Sequence, residues 1–170
     1  MKTYQLGYAG DRMVTVKKSE GQMVVTVKVK NDENKFINLP PKRWAAFRQV
    51  VDDINKNVKA LVEGDQNVKF LHHIGGAYYV SVTSGYRCVD FRKWFQPYDA
   101  KDVGDIKPTK HGVALRLDEW TSLCTLVDTI NASHSTLATA LPCYFGDDHL
   151  NQEGWMNCTE CHPFLVNLGQ

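Results

Sequence analysis

Apolar and polar residues alternate through residues 23–30, which is the pattern of a β-strand with one buried face. The odd-numbered positions carry methionine or valine, whereas the even-numbered positions from Thr26 onward carry threonine or lysine. The sequence Ser-Glu-Gly-Gln at 19–22 predicts a hairpin turn that joins this strand to another over 13–18. With a further short strand predicted over 36–39, the pattern indicates an antiparallel sheet.

The spacing of the apolar residues changes to that of a helix after residue 40. Pro41 suits the first turn of a helix, where the N–H that proline lacks would have no partner in any case. Gly64 marks the predicted end of this helix. The apolar residues that recur at helical spacing between these two positions are Trp44, Phe47, Val50, Val51, Ile54, Val58 and Leu61.

The same order of strand, strand and helix returns roughly seventy residues later. A shift of 76 residues aligns Trp44 with Trp120 and the segment 51–55 with 127–131. The upstream strands correspond in the same order, 13–16 with 79–82 and 23–30 with 87–94. Such a repeat predicts two similar units that are related by a pseudo-two-fold axis within one polypeptide.

The second unit is predicted to contain strands over 78–82, 87–95 and 113–117, with a long polar loop over 96–111. Residues 72–76, His-His-Ile-Gly-Gly, are interpreted as a turn that leads into the first of these strands. The two helices are expected to lie antiparallel and to bury Trp44, Phe47, Val51, Ile54, Trp120, Leu123, Val127 and Ile130.

The predicted fold class is therefore α+β, with two tandem units that form an intramolecular pseudo-dimer. The predicted parts are a first unit over 1–66, a second unit over 67–131 and a C-terminal tail over 132–170. All 20 Lys and Arg residues lie in 1–131 together with 15 acidic residues, so this body has a formal charge of +5. The tail carries four acidic residues and no Lys or Arg.

The five cysteines, an odd number, favour reduced thiols and a nuclear address, or a cytoplasmic one in a source without a nucleus. No run of 18 apolar residues occurs, so no association with a membrane is expected. The sequence contains no Ser-His-Asp order, phosphate-binding glycine loop or paired carboxylates in a credible pocket, and we therefore expect no catalytic activity.

Four ordered motifs between residues 79 and 120 resemble the C-terminal domain of the transcriptional coactivator positive cofactor four. They are Tyr-Val-Ser-Val at 79–82, Val-Asp-Phe-Arg-Lys-Trp-Phe at 89–95, Lys-Pro-Thr-Lys-His-Gly-Val-Ala-Leu at 107–115 and Asp-Glu-Trp at 118–120. The resemblance implies a curved four-stranded sheet followed by a helix, which dimerises through the helix and forms two channels for single-stranded DNA. The first unit would then take the place of the second protomer.

The resemblance also implies which residues contact DNA. Arg92 would contact phosphate, and either Phe95 or the neighbouring Trp94 would stack on a base. The resemblance also implicates five other positions in the second unit: Tyr86, Arg87, Lys107, Lys110 and His111. His111 stands where the family usually has a cation. In the first unit only Lys17 and Lys28 match cationic positions, so we expect one competent channel and one degenerate channel.

Cations beside aromatic residues on an exposed sheet are suited to single-stranded nucleic acid, because the cations meet phosphates and the rings stack on unpaired bases. We therefore predict binding of single-stranded or melted DNA, in a transcriptional coactivator or a genome-maintenance factor, with proteins of the transcription machinery as further partners. The alternative for the sheet face is a solvated surface whose Trp and Tyr side chains pack under the tail. The second hypothesis for the function is a protein-interaction module that keeps the fold but has lost nucleic-acid binding. A metal-dependent enzyme centred on the tail is a third hypothesis.

The tail contains four residues that are suited to zinc: Cys143, His149, Cys158 and Cys161. Thiolate and imidazole ligands at tetrahedral distance are typical of structural zinc sites, and Cys158-x-x-Cys161 supplies one pair of ligands. His162 is an alternative to His149, and His134 is a more remote one. The other interpretation is that these thiols pack as small apolar groups.

Overall fold

The structure is a computed structural model that describes residues 1–164, and residues 165–170 of the predicted tail lie outside the described part. The α+β prediction is confirmed: two four-stranded antiparallel sheets are each followed by a helix. The first unit consists of β1 (Lys2–Leu6), β2 (Arg12–Ser19), β3 (Gln22–Val29), β4 (Phe36–Leu39) and α1 (Pro41–Val62). The second consists of β5 (Lys69–Gly75), β6 (Tyr78–Thr83), β7 (Cys88–Phe95), β8 (Lys107–Arg116) and α2 (Leu117–Ser133).

The alternating pattern of the first hairpin places its valines in the core. Val14 of β2 lies opposite Val27 of β3, and both side chains are fully buried. The turn between the strands has positive φ angles at Glu20 (51°) and Gly21 (83°), which matches the twist of a two-residue hairpin turn. The predicted turn at 19–22 is therefore confirmed.

The helix predictions are confirmed in position, with one correction to the buried face. Pro41 lies in the first turn of α1, and Gly64 follows the end of the helix with a φ of 92°. Val51 and Val127 were expected in the core but are only partly buried. In α1 the neighbouring Val50 takes the core position instead, because it continues the line of Trp44 and Phe47 at a three-residue spacing. The remaining six predicted core residues of the helices are buried.

Two reciprocal hydrogen bonds join the helices of the two units. The indole Nε1 of Trp44 donates to Oδ1 of Asn131 at 2.9 Å, and that of Trp120 donates to Oδ1 of Asn55 at 2.8 Å. Trp120 lies 76 positions after Trp44, and Asn131 lies 76 positions after Asn55. The same contact is therefore made twice with the roles of the helices exchanged, as in a two-fold dimer. Because the start of each helix reaches the later part of the other, the helices lie antiparallel.

Each helix also packs on the sheet of the other unit. Helix α1 contacts β5 and β6, and α2 contacts β1 and β2. Phe47 of α1 lies 5.6 Å from Phe91 of β7 and 6.0 Å from Trp120 of α2, measured between ring centroids. The aromatic core is thus shared by the two units, and they form an intramolecular pseudo-dimer.

Three sequence interpretations are corrected by the strand boundaries. His72 and His73 lie in β5 rather than in a turn, and Lys2–Leu6 forms a strand that the alternation did not indicate. Both segments are edge strands with a single fully buried side chain each, so the alternation of apolar residues is weak. Strand β8 begins at Lys107, inside the predicted loop. The pairing of β7 with β8 is irregular after Arg92, but Trp94 and Phe95 then pair with Pro108 and Lys107 and so extend the strand.

The described part of the tail consists of short helical segments. The expected boundary at residue 131 falls inside α2, and Ser135–Ala138 (α3) follows directly. Two 3₁₀ turns (Cys143–Phe145 and Asp147–His149) and a short helix, α4 (Gln152–Met156), complete it. Within residues 1–164, none of the helices combines the length and the apolar character that crossing a membrane requires.

Candidate functional site

The outer face of the second sheet forms a groove with a volume of about 460 Å³. Strand β7 provides much of its floor, because Val89 and Phe91 point into the core and the alternate residues point outward. Asp90, Arg92 and Trp94 therefore share the outer face, as the alternation predicted. The residues that line this second-sheet groove are Ser81, Thr83, Tyr86, Cys88, Asp90, Arg92, Trp94, Pro108 and Ala114.

Two aromatic side chains line the groove at different points along the sheet. Tyr86 lies in the turn before β7 and is 67% exposed, so its ring face is accessible. Trp94 lies near the far end of β7, half-buried, with its ring centroid 5.9 Å from that of Tyr79. The indole Nε1 of Trp94 is buried and has no hydrogen-bond acceptor within residues 1–164. The groove therefore offers ring faces to a flat ligand.

Arg92 is held on the groove floor by three hydrogen bonds. Its Nε donates to Oδ2 of Asp90 at 3.0 Å and its Nη2 donates to Oδ1 at 2.9 Å, which makes the ion pair bidentate. Its Nη1 donates to the backbone oxygen of Thr109 at 3.0 Å. Both charged side chains are about one-fifth exposed, at 22% for Arg92 and 19% for Asp90. This pair was not predicted from the sequence, although two oppositely charged residues at i and i+2 on one strand face are a recognisable signal.

The other cations implicated in the second unit are not among the groove-lining residues. Arg87, Lys107 and Lys110, which we call the rim cations, are exposed; Arg87 and Lys107 adjoin lining residues in the sequence, and Lys110 lies two residues beyond Pro108. No ion pair involves them in the part of the chain that the structure describes.

Two predicted site residues lie away from the groove lining. Phe95 is 45% exposed, and the alternation of β7 places it on the opposite face from Trp94. His111 lies between the units, with its ring centroid 4.7 Å from that of Phe36 and 5.9 Å from that of Tyr78. Burial, followed by the charges of Lys93 and Arg92, lowers the pKa of His111.

The corresponding face of the first sheet has different chemistry. Where β7 presents Asp90, Arg92 and Trp94, β3 presents Thr26 and Lys28, and Lys30 lies in the turn that follows the strand. Thr26 is almost completely buried and donates from its hydroxyl to Oδ1 of Asn38 at 2.7 Å. Lys17 and Lys28 lie on this face, with Lys17 exposed and Lys28 partly exposed. The first sheet thus carries cations there, with Phe36 of β4 opposite Lys28, but has no counterparts of Tyr86 and Trp94.

The four predicted metal ligands come together in the tail. The Sγ atoms of Cys143, Cys158 and Cys161 and a ring nitrogen of His149 all lie within 4.8 Å of one another. Individual separations are 3.6 Å from Cys143 Sγ to Cys158 Sγ, and 3.7 and 3.3 Å from His149 Nε2 to Cys143 Sγ and Cys161 Sγ. A tetrahedron with arms of about 2.0–2.3 Å has edges of roughly 3.3–3.8 Å. The cluster, which we call the Cys3His cluster, can therefore hold a metal ion.

His149 is oriented as a metal-ligating histidine is expected to be. Its Nδ1 is bonded to Oδ1 of Asp148 at 2.7 Å, which leaves Nε2 directed at the thiols. The alternatives lie elsewhere: His162 packs edge-on against Trp155 at 4.4 Å, and His134 follows the end of α2. Asp148 was not identified from the sequence, because its role depends on a contact with the neighbouring ring.

The thiols of the cluster influence one another's ionisation. Burial raises the pKa of Cys158, but hydrogen bonds from the backbone at Cys161 and from His149 outweigh this effect and lower the pKa to about 7. Burial and the proximity of Cys143 raise the pKa of Cys161 to about 12. Three thiols at this distance cannot all ionise without a compensating cation, which a divalent metal would supply.

Glu160, next to Cys161, connects the tail to both units. Its carboxylate accepts hydrogen bonds from Nε and Nη2 of Arg43, at 2.6 and 3.0 Å, and its backbone oxygen accepts from the N–H of Gly76 at 2.8 Å. Arg43 belongs to α1 and Gly76 to the turn after β5, so this Glu160 bridge spans the two units. The guanidinium of Arg43 also lies 5.0 Å from the ring centroid of Tyr78. A cavity of about 510 Å³ lies beside the bridge and the Cys3His cluster.

Comparisons of the chain with protein-family models, with curated proteins and with solved structures give no match. The resemblance to positive cofactor four accordingly stays a prediction that depends on the four motifs in the sequence.

Proposed function

We propose that this protein binds single-stranded nucleic acid, and single-stranded or melted DNA in particular, through the second-sheet groove. The observation that carries the proposal is the placement of Tyr86, Arg92 and Trp94 in one groove, with exposed cations nearby in the sequence. Aromatic rings in a cationic groove bind single strands with little dependence on sequence, because every base has a π face.

The proposed setting follows from the resemblance to positive cofactor four. One chain would supply both halves of the dimer that the family assembles from two subunits, with a competent second unit and a degenerate first unit. The role would be non-catalytic, in transcription or genome maintenance in the nucleus, with proteins of the transcription machinery as additional partners. The reciprocal contacts of Trp44 and Trp120 support the dimer-like part of this proposal.

A filter-binding titration with oligodeoxythymidine at low and moderate salt tests the proposal. We expect saturable binding that weakens as salt is added, because phosphate contacts release counterions. Arg92→Ala and Trp94→Ala should each weaken binding, whereas Lys28→Ala in the first sheet should have less effect. Equal affinity of all three variants and the unmodified chain would contradict the assignment of the groove.

A specific observation favours the alternative, a protein-interaction module without nucleic-acid binding. The Asp90 carboxylate neutralises Arg92, so the groove floor lacks a free positive charge. The same titration separates the two functions, since a protein-interaction module would show no saturable binding of the oligonucleotide at either salt concentration.

We further propose that the Cys3His cluster binds zinc in a structural role. Three thiolates and one imidazole are typical ligands of structural zinc, and a site with all four positions filled by protein leaves none for a substrate. The bond from His149 to Asp148 supports the assignment, because metal-bound histidines usually donate their other N–H to such a group.

Elemental analysis of the purified full chain tests the zinc proposal. We expect about one zinc per chain, and its loss in the double variant Cys158→Ser and Cys161→Ser. Cys88→Ser is the matched control, because Cys88 lies in the second sheet outside the cluster and its loss should leave the metal content unchanged. An unmodified chain without metal would contradict the proposal.

A further inference from the structure

The arginine on the floor of the second-sheet groove does not present a free charge to a ligand. Both carboxylate oxygens of Asp90 accept hydrogen bonds from the Arg92 guanidinium, at 2.9 and 3.0 Å. A phosphate that approached Arg92 would also approach this carboxylate, and the repulsion would offset the attraction. The ion pair therefore makes the groove floor a poor place for a phosphate.

An uncharged base meets no such repulsion. Arginine has five N–H donors, and Arg92 uses two on Asp90 and one on Thr109, so two are left for acceptors on a base edge. The rings of Tyr86 and Trp94 line the same groove and can stack on the base.

Phosphates have a better place outside the groove. The rim cations Arg87, Lys107 and Lys110 are exposed and form no ion pair in the described residues. Exposed lysine and arginine side chains can follow a flexible backbone without losing an existing partner.

From these observations we infer that the second-sheet groove receives the bases of a single strand while the phosphates follow the rim cations. The inference rests on the proposed single-strand binding and adds the orientation of the strand to it. It reverses the role that the family resemblance gives to Arg92: this residue contacts bases, and Asp90 is the residue that keeps phosphates off the floor.

Two measurements on the full chain test the orientation. The first compares the affinity for oligodeoxythymidine with that for an abasic oligonucleotide of equal length, which retains the phosphates but lacks the bases. We expect the abasic strand to bind at least tenfold more weakly, since stacking on two aromatic rings is lost. This comparison uses the unmodified protein and does not depend on the folding of a variant.

The second measurement is the slope of log affinity against log salt concentration. Arg92→Gln should weaken binding of oligodeoxythymidine but leave the slope unchanged, because no phosphate contact is lost. The matched variants Lys107→Gln and Lys110→Gln should each make the slope shallower by about 0.7, the value for one phosphate contact to a single strand.

The inference is overturned if the abasic strand binds as tightly as the intact one, or if Arg92→Gln makes the slope shallower as a lysine variant does. Either result would leave single-strand binding itself intact. Absence of saturable binding to oligodeoxythymidine would instead contradict the proposed function, and the inference with it.

Discussion

Single residues determine how the two units of this protein meet. The side chains of Trp44 and Trp120 are buried in the shared core, and each indole has one N–H that must find an acceptor there. Asn131 and Asn55 provide these acceptors from the opposite helix. The two hydrogen bonds therefore fix the relative position of α1 and α2, as well as satisfying two buried donors.

Replacing Asn131 with alanine should leave the Trp44 N–H buried without an acceptor. We expect a loss of about 1–3 kcal/mol in the free energy of unfolding, the cost of an unsatisfied buried donor. Urea unfolding monitored by fluorescence measures it. Asn57→Ala is the control, because its side chain makes only a solvent-exposed hydrogen bond to the backbone oxygen of Asp53, and its loss should change the stability by about 0.5 kcal/mol or less. Similar stabilities of the two variants would show that the Trp44 bond contributes little.

Trp94 and Phe95 are adjacent on β7, but only Trp94 lines the groove. We expect Trp94→Ala to reduce the affinity for oligodeoxythymidine by roughly 5- to 150-fold, which corresponds to about 1–3 kcal/mol for one stacked base. Phe95→Ala should reduce it much less, because the ring lies on the other face of the strand. Fluorescence anisotropy of a labelled oligonucleotide gives both values. A larger loss of affinity for Phe95→Ala than for Trp94→Ala would indicate that bases stack on the opposite face of the strand.

At the scale of the elements, the pairing of β7 with β8 determines the shape of the groove. Gly112 of β8 lies opposite Arg92, next to the irregularity in the register. A Cβ atom at residue 112 would lie 2.7 Å from the Cα of Arg92 and would also meet the backbone oxygen of Phe91. Both are backbone atoms that cannot rotate away as a side chain could, so a larger residue at position 112 must push the strands apart.

Gly112→Ala should therefore destabilise the protein by about 1–3 kcal/mol, in the range of other overpacked positions. It should also weaken oligonucleotide binding, since Arg92 shifts with its strand. Gly104→Ala is the matched control: its φ is not in the left-handed region, and the nearest atom to its added Cβ is a side-chain oxygen of Asp102 at 3.3 Å. Thermal unfolding of both variants measures the difference, and an equal midpoint would refute the close approach of the strands.

The elements that the sequence predicted are those whose burial follows a regular pattern. The valines of β2 and β3 alternate, and the helically spaced apolar residues of α1 are bounded by a proline at its start and a glycine after its end, so periodicity and these end residues located them. The edge strands β1 and β5 each bury one side chain completely, so their pattern has little periodicity to detect. The resemblance to a known family was what indicated four strands in each sheet.

The sequence predicted those residues of the candidate sites that can be recognised by their type and spacing. It did not predict the contacts that only the folded chain brings together. Cys158-x-x-Cys161 indicated the metal cluster, and the alternation of β7 indicated the face that carries Arg92 and Trp94. The Glu160 bridge could not be predicted, because Arg43 lies 117 residues away in the sequence and only the folded tail brings the two together. The burial of His111 between the units likewise depends on a contact with Phe36 from the other sheet.

At the scale of the whole molecule, we expect His111, which packs between the units, to make the stability of the protein sensitive to acid. Its pKa is lowered from the usual 6.5, so the unfolded chain binds a proton more readily than the folded protein does. The stability that its neutral form contributes is fully present above pH 6.5 and is lost as the pH falls through and below that value. We expect the unmodified protein to lose more stability between pH 7 and pH 5 than His111→Gln does.

Urea unfolding at the two pH values provides this comparison. The other titrating groups, including those of the Cys3His cluster, are present in both proteins, so the difference between them isolates His111. An equal loss of stability in the two proteins would show that protonation of His111 does not disturb the contact with Phe36 and Tyr78.

The two units share one architecture but differ in the chemistry of their outer faces. The first sheet carries Lys17 and Lys28 over buried threonines, and the second carries aromatic residues around an arginine–aspartate pair. The core contacts keep the two-fold relation although the outer faces differ. The proposed function accordingly assigns nucleic-acid binding to the second unit and a mainly structural role to the first.

Ultraviolet crosslinking of oligodeoxythymidine to the full chain, followed by mass spectrometry of the crosslinked peptides, tests this assignment most directly. We predict saturable crosslinks at Tyr86 and Trp94 and in the β8 segment that begins at Lys107. Crosslinks that map mainly to 13–30 of the first sheet or to the tail beyond residue 133 would contradict it.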